Sequence, residues 1–377
     1  DALEPNVISY NSSISACERG GNWPAAVHLL RDMAARHVAP TTVSFNSSMS
    51  TAEKGARWEL ALQLFPDMAS EDLSPSVVTY GASIAACEKA GEWERAVQLF
   101  STMPSDRITP DVISFSSSIS ACGRSSQWQL ALLLLTEMPR RHKIAPNLIT
   151  YSAAISACEK GGVWTAALQL RADMSLAKIL PDVICWNACI SACEKGGYWQ
   201  TALGLFSLFA TSRCLAPTVV SFNATISACV EGGAWQWALE LLSEMRKAKA
   251  SPDVVSFSAG ISACEQQGRW RESPGLLADM EVAKVLPNSI TFNAAVGASA
   301  RMGFWQRALW LSSRMAAARL QPNMTTWTCC VSALNSSSSL KPSTLRPKMA
   351  FQDLKKSRRA RSQPHPAMDI GSPNLQH

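Results

Sequence analysis

Apolar positions along the chain follow a helical spacing that is interrupted at regular intervals. In one stretch, Tyr151, Ile155 and Cys158 occur at i, i+4 and i+7, which is one face of an amphipathic helix. A Gly-Gly pair beginning at Gly161 is a stop and turn signal, and a second apolar stripe starts at Trp164. This pattern predicts two short helices joined by a tight turn.

A proline follows each predicted helix pair, and it recurs with a nearly constant period. Seven of the nine intervals are 35 residues long and two are 36. Because the residue before a proline is biased away from helical geometry, each proline separates one pair from the next. Such a period indicates a stack of similar units that bury their apolar faces against each other. The prolines are Pro5, Pro40, Pro75, Pro110, Pro146, Pro181, Pro217, Pro252, Pro287 and Pro322.

Alignment of the repeats separates constant positions from variable ones. When each repeat is numbered from the second residue after its proline, nine full repeats fit between residues 7 and 323. Position 2 is always Val or Ile, position 4 is always aromatic, position 17 is always Trp, and position 11 is Cys in seven of nine repeats. The predicted fold class is therefore all-α, an α-solenoid of about nine to ten helix-turn-helix repeats.

The repeat boundaries also predict the domain organisation. Residues 1–6 correspond to the end of a preceding repeat, so the sequence is expected to be a piece of a longer protein. Residues 7–323 form nine tandem repeats, and 324–334 begin a degenerate partial repeat. Residues 335–377 form a basic Ser/Pro-rich tail that is expected to be disordered.

Prolines inside the predicted second helices mark weakened repeats. Pro274 and Gly275 fall within the second helix of the eighth repeat, which we expect to kink or to begin late. Pro66 lies near the end of a second helix and is a milder disturbance. Pro24 follows the Trp that starts a helix, where proline is tolerated.

Composition and cysteine usage are consistent with this fold. A chain of 377 residues with 47% hydrophobic residues is globular, but too long for one compact core. Seven of the 12 cysteines share one position of the repeat, so we predict buried, reduced thiols that fill the core. Cys185, Cys189 and Cys193 lie along one predicted helical face and leave open a metal site, although no C-x-x-C or paired His supports it.

The repeat resembles the pentatricopeptide repeat of the pure 35-residue type. Residues 252–258 and 181–187, which read PDVVSFS and PDVICWN, carry the resemblance most clearly, and it covers residues 5–334. The tetratricopeptide repeat has a 34-residue period and an early Trp, whereas here the Trp starts the second helix. The resemblance implies a right-handed α-solenoid superhelix that binds single-stranded RNA with one base per repeat.

The resemblance also implies a role for four positions of each repeat. Position 5 and the last residue would contact the base edge: Asn11, Thr41, Asn46, Ser76, Gly81, Asp111, Ser116, Asn147, Ser152, Asp182, Asn187, Thr218, Asn223, Asp253, Ser258, Asn288, Asn293 and Asn323. Position 2 would pack against the base: Ile8, Val43, Val78, Ile113, Ile149, Ile184, Val220, Val255 and Ile290. Position 13 would approach the phosphate: Arg19, Lys54, Lys89, Arg124, Lys160, Lys195 and Arg301.

The residues of positions 5 and 13 also have explanations that do not involve RNA. Position 5 is rich in Ser and Asn, which are also the residues that cap helix N-termini, although capping does not explain its variation together with the last residue. The cations of position 13 often follow a Glu and would then form solvated pairs. Glu231 and Gln266 interrupt that column.

The net charge of the chain resides in its tail. Residues 335–377 carry 8 Lys and Arg against 2 Asp and Glu, which leaves 27 charges of each sign in residues 1–334. RNA affinity of the array would therefore depend on where its charges lie rather than on their sum. The tail cluster Lys355, Lys356, Arg358, Arg359 and Arg361 is interpreted as solvated, with nonspecific RNA affinity and a nuclear signal as alternatives.

Family rules for position 5 and the last residue predict a target. Read from 5′ to 3′, its nine bases are a pyrimidine, C, either U or G, A, G, a pyrimidine, U, A and a pyrimidine. Gly81 departs from the pattern, so the third base is the least defined.

The expected function is RNA binding in a mitochondrion or plastid, where the protein would act on the stability, processing or translation of the RNA by occupancy or by recruiting a protein effector.

The chain lacks H-x-E, C-x-x-C, P-loop and G-x-S-x-G motifs, so no enzymatic activity and no cofactor are expected. No apolar run approaches the roughly 18 residues of a membrane helix, and neither a membrane nor a small molecule is an expected partner. The alternative function is a protein–protein scaffold that uses the same surface.

Overall fold

The computed structural model of the protein describes residues 5–212, 215–248, 250–269 and 271–336. These residues form nineteen α-helices and no strand, which confirms the predicted all-α solenoid. The helices are α1 (Val7–Gly20), α2 (Trp23–Ala35), α3 (Thr42–Lys54), α4 (Trp58–Ser70), α5 (Val77–Ala90), α6 (Trp93–Thr102), α7 (Val112–Arg124), α8 (Trp128–Arg141), α9 (Leu148–Lys160), α10 (Trp164–Leu176), α11 (Val183–Lys195), α12 (Trp199–Ala210), α13 (Val219–Glu231), α14 (Trp235–Lys247), α15 (Val254–Gln266), α16 (Ser273–Val282), α17 (Ser289–Arg301), α18 (Trp305–Ala317) and α19 (Met324–Ser336).

Each repeat contributes an odd-numbered helix and then an even-numbered one, and the two kinds pack differently. Every odd-numbered helix contacts the next odd-numbered helix, so these helices form one continuous layer. Every even-numbered helix packs between the odd helix of its own repeat and that of the next. The core therefore runs along the stack, as expected for units that bury their apolar faces only against neighbours.

Two constant columns of the sequence build this core. The aromatic residue at position 4 of every repeat is buried or half-buried, and Phe115 and Phe257 have no exposed surface. Position 8 is fully buried in all nine repeats and is almost always Ile or another branched or long aliphatic residue. The position 8 residues are Ile14, Met49, Ile84, Ile119, Ile155, Ile190, Ile226, Ile261 and Val296.

The turn between the two helices of a repeat requires a left-handed residue at position 15. Seven repeats have Gly there with φ between 64° and 85°, whereas Ala56 and Ser126 adopt φ of 50° and 60°. In several repeats the Gly at position 14 is also constrained, because a Trp from the preceding repeat lies over it. A Cβ on Gly161 would lie 2.4 Å from Trp128 Cδ1, so the small residue allows the two repeats to approach.

The proline predictions for the second helices are confirmed where the structure describes them. α16 begins only at Ser273, and Pro274 lies in its first turn, where its missing N–H costs no helical hydrogen bond. α4 continues through Pro66 to Ser70, and Pro24 lies in the first turn of α2. Trp270, the expected start of the eighth second helix, lies outside the described residues.

The cysteines of position 11 are part of the core, as predicted, and all described cysteines are free thiols. Burial raises the pKa of Cys158 and Cys229 to about 11 and that of Cys189 to about 12. Among the described residues, no group of His, Cys, Asp or Glu is arranged to hold a metal ion. In the same part of the chain, no helix is both long and apolar enough to cross a bilayer.

The structure describes the predicted ends of the array only in part. The partial repeat predicted at 324–334 forms one helix, α19, which packs on α17 and α18 and continues to Ser336. Residues 1–4 of the predicted preceding repeat lie outside the described residues, as does the tail from 337 onward with its basic cluster.

Candidate nucleic-acid interface

The layer of odd-numbered helices exposes an unbroken row of apolar side chains. The Val or Ile at position 2 lies in the first turn of each of these helices, and its exposed fraction is between 54% and 73% in all nine repeats. A β-branched apolar residue in that setting contributes nothing to the core. The row is therefore a surface feature that the repeats maintain at a cost in solvation.

Position 2 lies beside two other predicted columns. Ile149, Ser152 and Lys160, which are positions 2, 5 and 13 of the fifth repeat, line one open cleft of about 420 Å³. Arg124 from the repeat before and Ile184 from the repeat after complete the wall of this cleft. In the first repeat, Ile8, Asn11 and Arg19 line a similar cleft. The structure thus brings the predicted base-packing, base-edge and phosphate residues together.

The alternative interpretation of position 5 as a helix cap is wrong, because position 5 lies inside the helix. The N-cap is instead the last residue of the preceding repeat, which has extended backbone geometry in every case. Asp111 accepts a hydrogen bond from the backbone N–H of Ser114 at 2.8 Å, and Asp253 accepts one from Ser256 at 2.9 Å. The restriction of the last position to Ser, Thr, Asp and Asn therefore has a structural reason.

Position 5 and the last residue of the same repeat are nevertheless neighbours. The side-chain amide of Asn223 donates to Asp253 Oδ1 at 3.2 Å, and that of Asn11 donates to Thr41 Oγ1 at 3.4 Å. Burial by itself would raise the pKa of Asp253, but hydrogen bonds from Ser256 and Asn223 outweigh it and lower the pKa. The Asp253 carboxylate is therefore an ionised acceptor on an exposed edge.

A further column, at position 3, was not identified from the sequence. It is Ser or Thr in every full repeat except the sixth, which has Cys185, and from the second repeat onward it is buried. In each repeat that follows an Asn at position 5, its hydroxyl donates to that Asn Oδ1 at 2.6–2.7 Å. The pairs are Ser44 with Asn11, Thr79 with Asn46, Ser221 with Asn187, Ser256 with Asn223 and Thr326 with Asn293. The signal in the sequence was the constancy of small hydroxyl residues at this position.

Serine at position 5 behaves differently from asparagine. Ser116 and Ser152 donate to the backbone carbonyl oxygens of Val112 and Leu148, both at 2.8 Å. Gly81 has no side chain and is buried, so the third repeat presents no polar group at this position.

The cations of position 13 are exposed, and most of them form ion pairs between repeats. The solvated Glu–Lys pair considered for this column does form, but it joins neighbouring repeats rather than adjacent residues. Lys89 lies 2.9 Å from Glu53, and Lys195 lies 3.1 Å from Glu159. Lys54, Arg124 and Arg301 form the same kind of pair at 3.6–3.9 Å. The column is thus a row of cations, five of which have an acidic partner one repeat away.

Lys160 is an exception within the described residues, because the repeat before it has Gly123 at position 12, where six of the nine repeats have Glu. No carboxylate of the described chain lies within ion-pair distance of its ammonium, and it faces the cleft of the fifth repeat.

The interruption at Glu231 has a local electrostatic consequence. Burial raises the pKa of Glu194 to about 7, and the negative charge of Glu231 contributes to the same shift. A carboxylate pair thus occupies the place where five other pairs of repeats join a carboxylate to a cation. Together with Gln266 in the eighth repeat, Glu231 interrupts the cationic row between the sixth and ninth repeats.

Comparison with known families gives matches along most of the array. The profile described as PPR repeat family matches residues 75–124 and 217–266, and that of the pentatricopeptide repeat domain matches 1–54 and 169–232. A third profile, PPR repeat, matches 113–142. Together these segments cover more than half of the chain. None of the curated proteins matches it in sequence.

Solved structures with a similar fold include the pentatricopeptide repeat protein PPR10. Its complex with an 18-nt psaJ RNA element has a TM-score of 0.60 and 20% identity, and the match covers 88% of this chain and 53% of PPR10. A cysteine-to-serine variant of PPR10 with the same RNA gives the same values. PPR10 from maize without RNA matches with a TM-score of 0.37, 17% identity, and coverage of 88% and 62%.

The present chain spans about half the length of the PPR10–RNA structures that it matches. The profile matches, the 35-residue period and the stacked helix pairs agree with one another. This chain therefore belongs to the pentatricopeptide repeat family.

Proposed function

We propose that this chain binds single-stranded RNA in a sequence-dependent manner, with one base per repeat. The observation that carries the proposal is the cleft of the first and fifth repeats, in which an exposed apolar residue, the polar residue of position 5 and a cation lie together. The relative PPR10 has been crystallised with an RNA element, and the same class of ligand suits these clefts. A duplex would not suit them, because its bases are stacked and paired.

Each part of the cleft matches one chemical feature of a nucleotide. Val or Ile side chains of successive repeats form an apolar surface on which a base can pack, which is favourable because both surfaces leave water. Position 5 and the last residue offer hydrogen-bonding groups to the base edge. The cations of position 13 lie at the far end of the same helices, where they can approach phosphate oxygens.

Function in the cell would follow from occupancy alone. A protein that covers its RNA would protect it from nucleases, keep it unfolded or recruit a protein effector. We place this role in the RNA metabolism of a mitochondrion or plastid. No step of the proposed mechanism requires catalysis, a cofactor or a metal.

A protein scaffold is the competing function, and the row of exposed Val and Ile side chains is the observation that favours it. An extended peptide could pack on the same row. A peptide, however, has no use for cations that recur at the spacing of the repeats, nor for polar pairs that differ from repeat to repeat.

Fluorescence anisotropy of the 377-residue chain with labelled RNA tests the proposal. The probe is the nine-base RNA derived above, with U as the seventh base. The controls are a scrambled RNA of the same composition and the matching DNA duplex. We expect tighter binding of the designed RNA than of either control.

Replacing Asn223 and Asp253 by Ser and Asn tests whether the repeats are read separately. This change gives the seventh repeat the pair found in the fourth, Ser116 and Asn147. The variant should prefer A to U at the seventh base by about tenfold, since one good base-edge contact contributes ~1–3 kcal/mol of discrimination. Absence of RNA binding by a folded, helical sample would exclude the proposal and favour the scaffold. Binding that ignores sequence would exclude reading by single repeats.

A further inference from the structure

We infer that the buried hydroxyl at position 3 of each repeat determines specificity in the repeat before it, by fixing the orientation of the Asn at position 5. The inference rests on the proposed function and extends it. The hydroxyl acts as a positioning group, because it contacts the Asn and not the RNA.

The contact recurs without exception among the asparagines of position 5. All five of them accept a hydrogen bond from a Ser or Thr of the next repeat at 2.6–2.7 Å. Each donor belongs to a different helix from its acceptor, and each donor residue is buried. The bond is therefore a property of the stacking of repeats and is shielded from water, which strengthens it.

The direction of this bond follows from a second one. In the same five places, the backbone N–H of the last residue donates to the position 3 oxygen at 3.0–3.2 Å. Since an N–H can only donate, the hydroxyl oxygen accepts there, and its one proton is free to go elsewhere. The shortest contact of that hydroxyl is the Asn Oδ1.

The consequence is that the amide cannot present its oxygen to the groove. Its NH₂ group is left to face the neighbouring last residue, as seen for Asn223 and Asp253 at 3.2 Å and for Asn11 and Thr41 at 3.4 Å. One amide proton can contact that residue, and the other remains for a ligand. A repeat with Asn at position 5 therefore presents a hydrogen-bond donor to the base.

A fixed donor selects bases that place an acceptor at the matching point of their edge. Both pyrimidines carry a carbonyl oxygen at C2, so one donor geometry accommodates U and C alike. Two of the three serines at position 5 present the opposite hydrogen-bonding group, because Ser116 and Ser152 give their protons to their own helix and leave oxygen lone pairs free. The third, Ser258, lies 2.9 Å from the hydroxyl of Thr291 in the next repeat. For a repeat with Asn at position 5, the group presented to the base thus depends on the next repeat as well.

Substitutions at Ser256 test the inference in the seventh repeat. In S256A the hydroxyl is lost, so the Asn223 amide is free to turn and offer either its oxygen or its NH₂ group. In S256T the hydroxyl is retained, as in the Thr79 and Thr326 pairs. S114A is the matched control, because Ser114 also lies behind an Asp cap and bonds Asp111 at 2.7 Å, but the residue it would orient is Gly81.

The measurement is the affinity of the full chain for four RNAs that differ only at the seventh base, together with thermal melting by circular dichroism. We expect wild type and S256T to prefer pyrimidines there. S256A should lose about threefold to tenfold of that preference, the range for one hydrogen bond. S114A should melt like S256A and keep the wild-type preference.

Two outcomes would overturn the inference while leaving RNA reading intact. One is an unchanged preference in S256A, and the other is a loss of preference that S256T shares. An equal loss in S114A, which lies four repeats before Ser256, would also overturn it, because the effect would then come from a general loss of stability and not from the orientation of Asn223. If wild type shows no preference at the seventh base, the proposed function itself has failed.

Discussion

At the residue scale, single side chains of this array carry out structural and surface tasks together. Asp253 caps α15 through the backbone of Ser256 and also accepts from the Asn223 amide on the exposed edge. A substitution at such a position changes helix stability as well as base contacts. Binding data for last-position variants therefore need a stability measurement beside them, as designed above for S114A.

Replacement of Glu231 should change the free energy of unfolding through one electrostatic contact, the repulsion between Glu231 and Glu194. Burial and the charge of Glu231 raise the pKa of Glu194 to about 7, whereas the pKa of a Glu in an unfolded chain is about 4.3. A raised folded-state pKa means that the contribution of Glu194 to stability is fully present below pH ~4.3 and is lost as pH rises through about 7. E231K would replace this repulsion by a pair like that of Lys195 with Glu159.

We expect E231K to be more stable than wild type by about 1 kcal/mol at pH 8, the upper range for a partly exposed ion pair. The gain should be much smaller at pH 4, where Glu194 is mostly protonated in both the folded and the unfolded wild-type chain. Urea unfolding at the two pH values measures this difference. E231Q serves as the control and should give a smaller gain. An E231K gain that is equal at both pH values would contradict the assignment to Glu194.

The buried thiols make a second prediction at this scale. Burial raises the pKa of Cys87, Cys122 and Cys264 to about 11, so at pH 8 only about one molecule in a thousand carries each thiolate. With iodoacetamide at pH 8, the half-buried Cys17 should be alkylated well before these three, as measured by peptide mass spectrometry. The urea-unfolded chain is the control, in which all 12 cysteines should react. Equal rates in the native chain would show that the repeats open readily.

At the element scale, the repeat depends on turns that reverse the chain within two or three residues. The turn at position 15 was predicted from a Gly-Gly pair, and the structure shows that its residue is left-handed. A second left-handed residue, at position 31 or 32 after the even-numbered helices, was not predicted. It is non-glycine in all seven repeats where it is described, namely His37, Asp72, Arg107, Lys143, Lys178, Lys284 and Arg319. Six of these seven residues are basic or His, and a positive charge next to a helix C-terminus is electrostatically favourable.

Two alanine substitutions separate the effect of the turn from that of helix propensity. Gly162 has φ of 68° and Gly204 lies within α12, and a Cβ at either position would meet no atom within 4 Å. G162A should lower the free energy of unfolding by about 1 kcal/mol, because an L-residue is strained in left-handed geometry. G204A should raise it by about 0.5–1 kcal/mol, because Ala is the better helix former. Denaturant unfolding tests both, and a gain for G162A would contradict the account of the turn.

At the scale of the whole molecule, the array is electrically neutral but regularly patterned. Of the seven cations in the position 13 column, five have an acidic partner one repeat away. Such pairs keep the stack from accumulating positive charge. They also limit the electrostatic contribution that the column can make to RNA binding.

The salt dependence of RNA affinity should reflect this limit. Seven phosphate contacts would give a slope of log K against log salt of about −5, at about −0.7 for each contact with a single strand. We expect a slope no steeper than that for the array, measured by anisotropy between 50 and 200 mM KCl, roughly the range over which such slopes are determined. K160Q, which removes a cation of the column that forms no ion pair with the preceding repeat, should reduce the slope by about 0.7. A much steeper slope would mean that other cations, such as those of the tail, dominate binding.

The solenoid was predictable from sequence because its code is local and repeated. Two apolar stripes, a Gly turn and a proline specify the helix pair, and nine copies average out the exceptions. The late start of α16 followed from the missing N–H of Pro274. The alignment also identified the constant column at position 2, whereas the columns at positions 5 and 13 were taken from the resemblance to the pentatricopeptide repeat family.

The sequence by itself determined the repeat, its core and the columns that face one surface. Only the tertiary structure decided which residue of one repeat touches which residue of the next. It showed that Glu53 pairs with Lys89 and that the hydroxyl of Ser256 donates to Asn223. These contacts join residues about 33–36 positions apart, and no local propensity encodes them. They arise because packing of the apolar faces fixes the register between neighbouring helices, and that register then brings the polar groups within hydrogen-bonding distance.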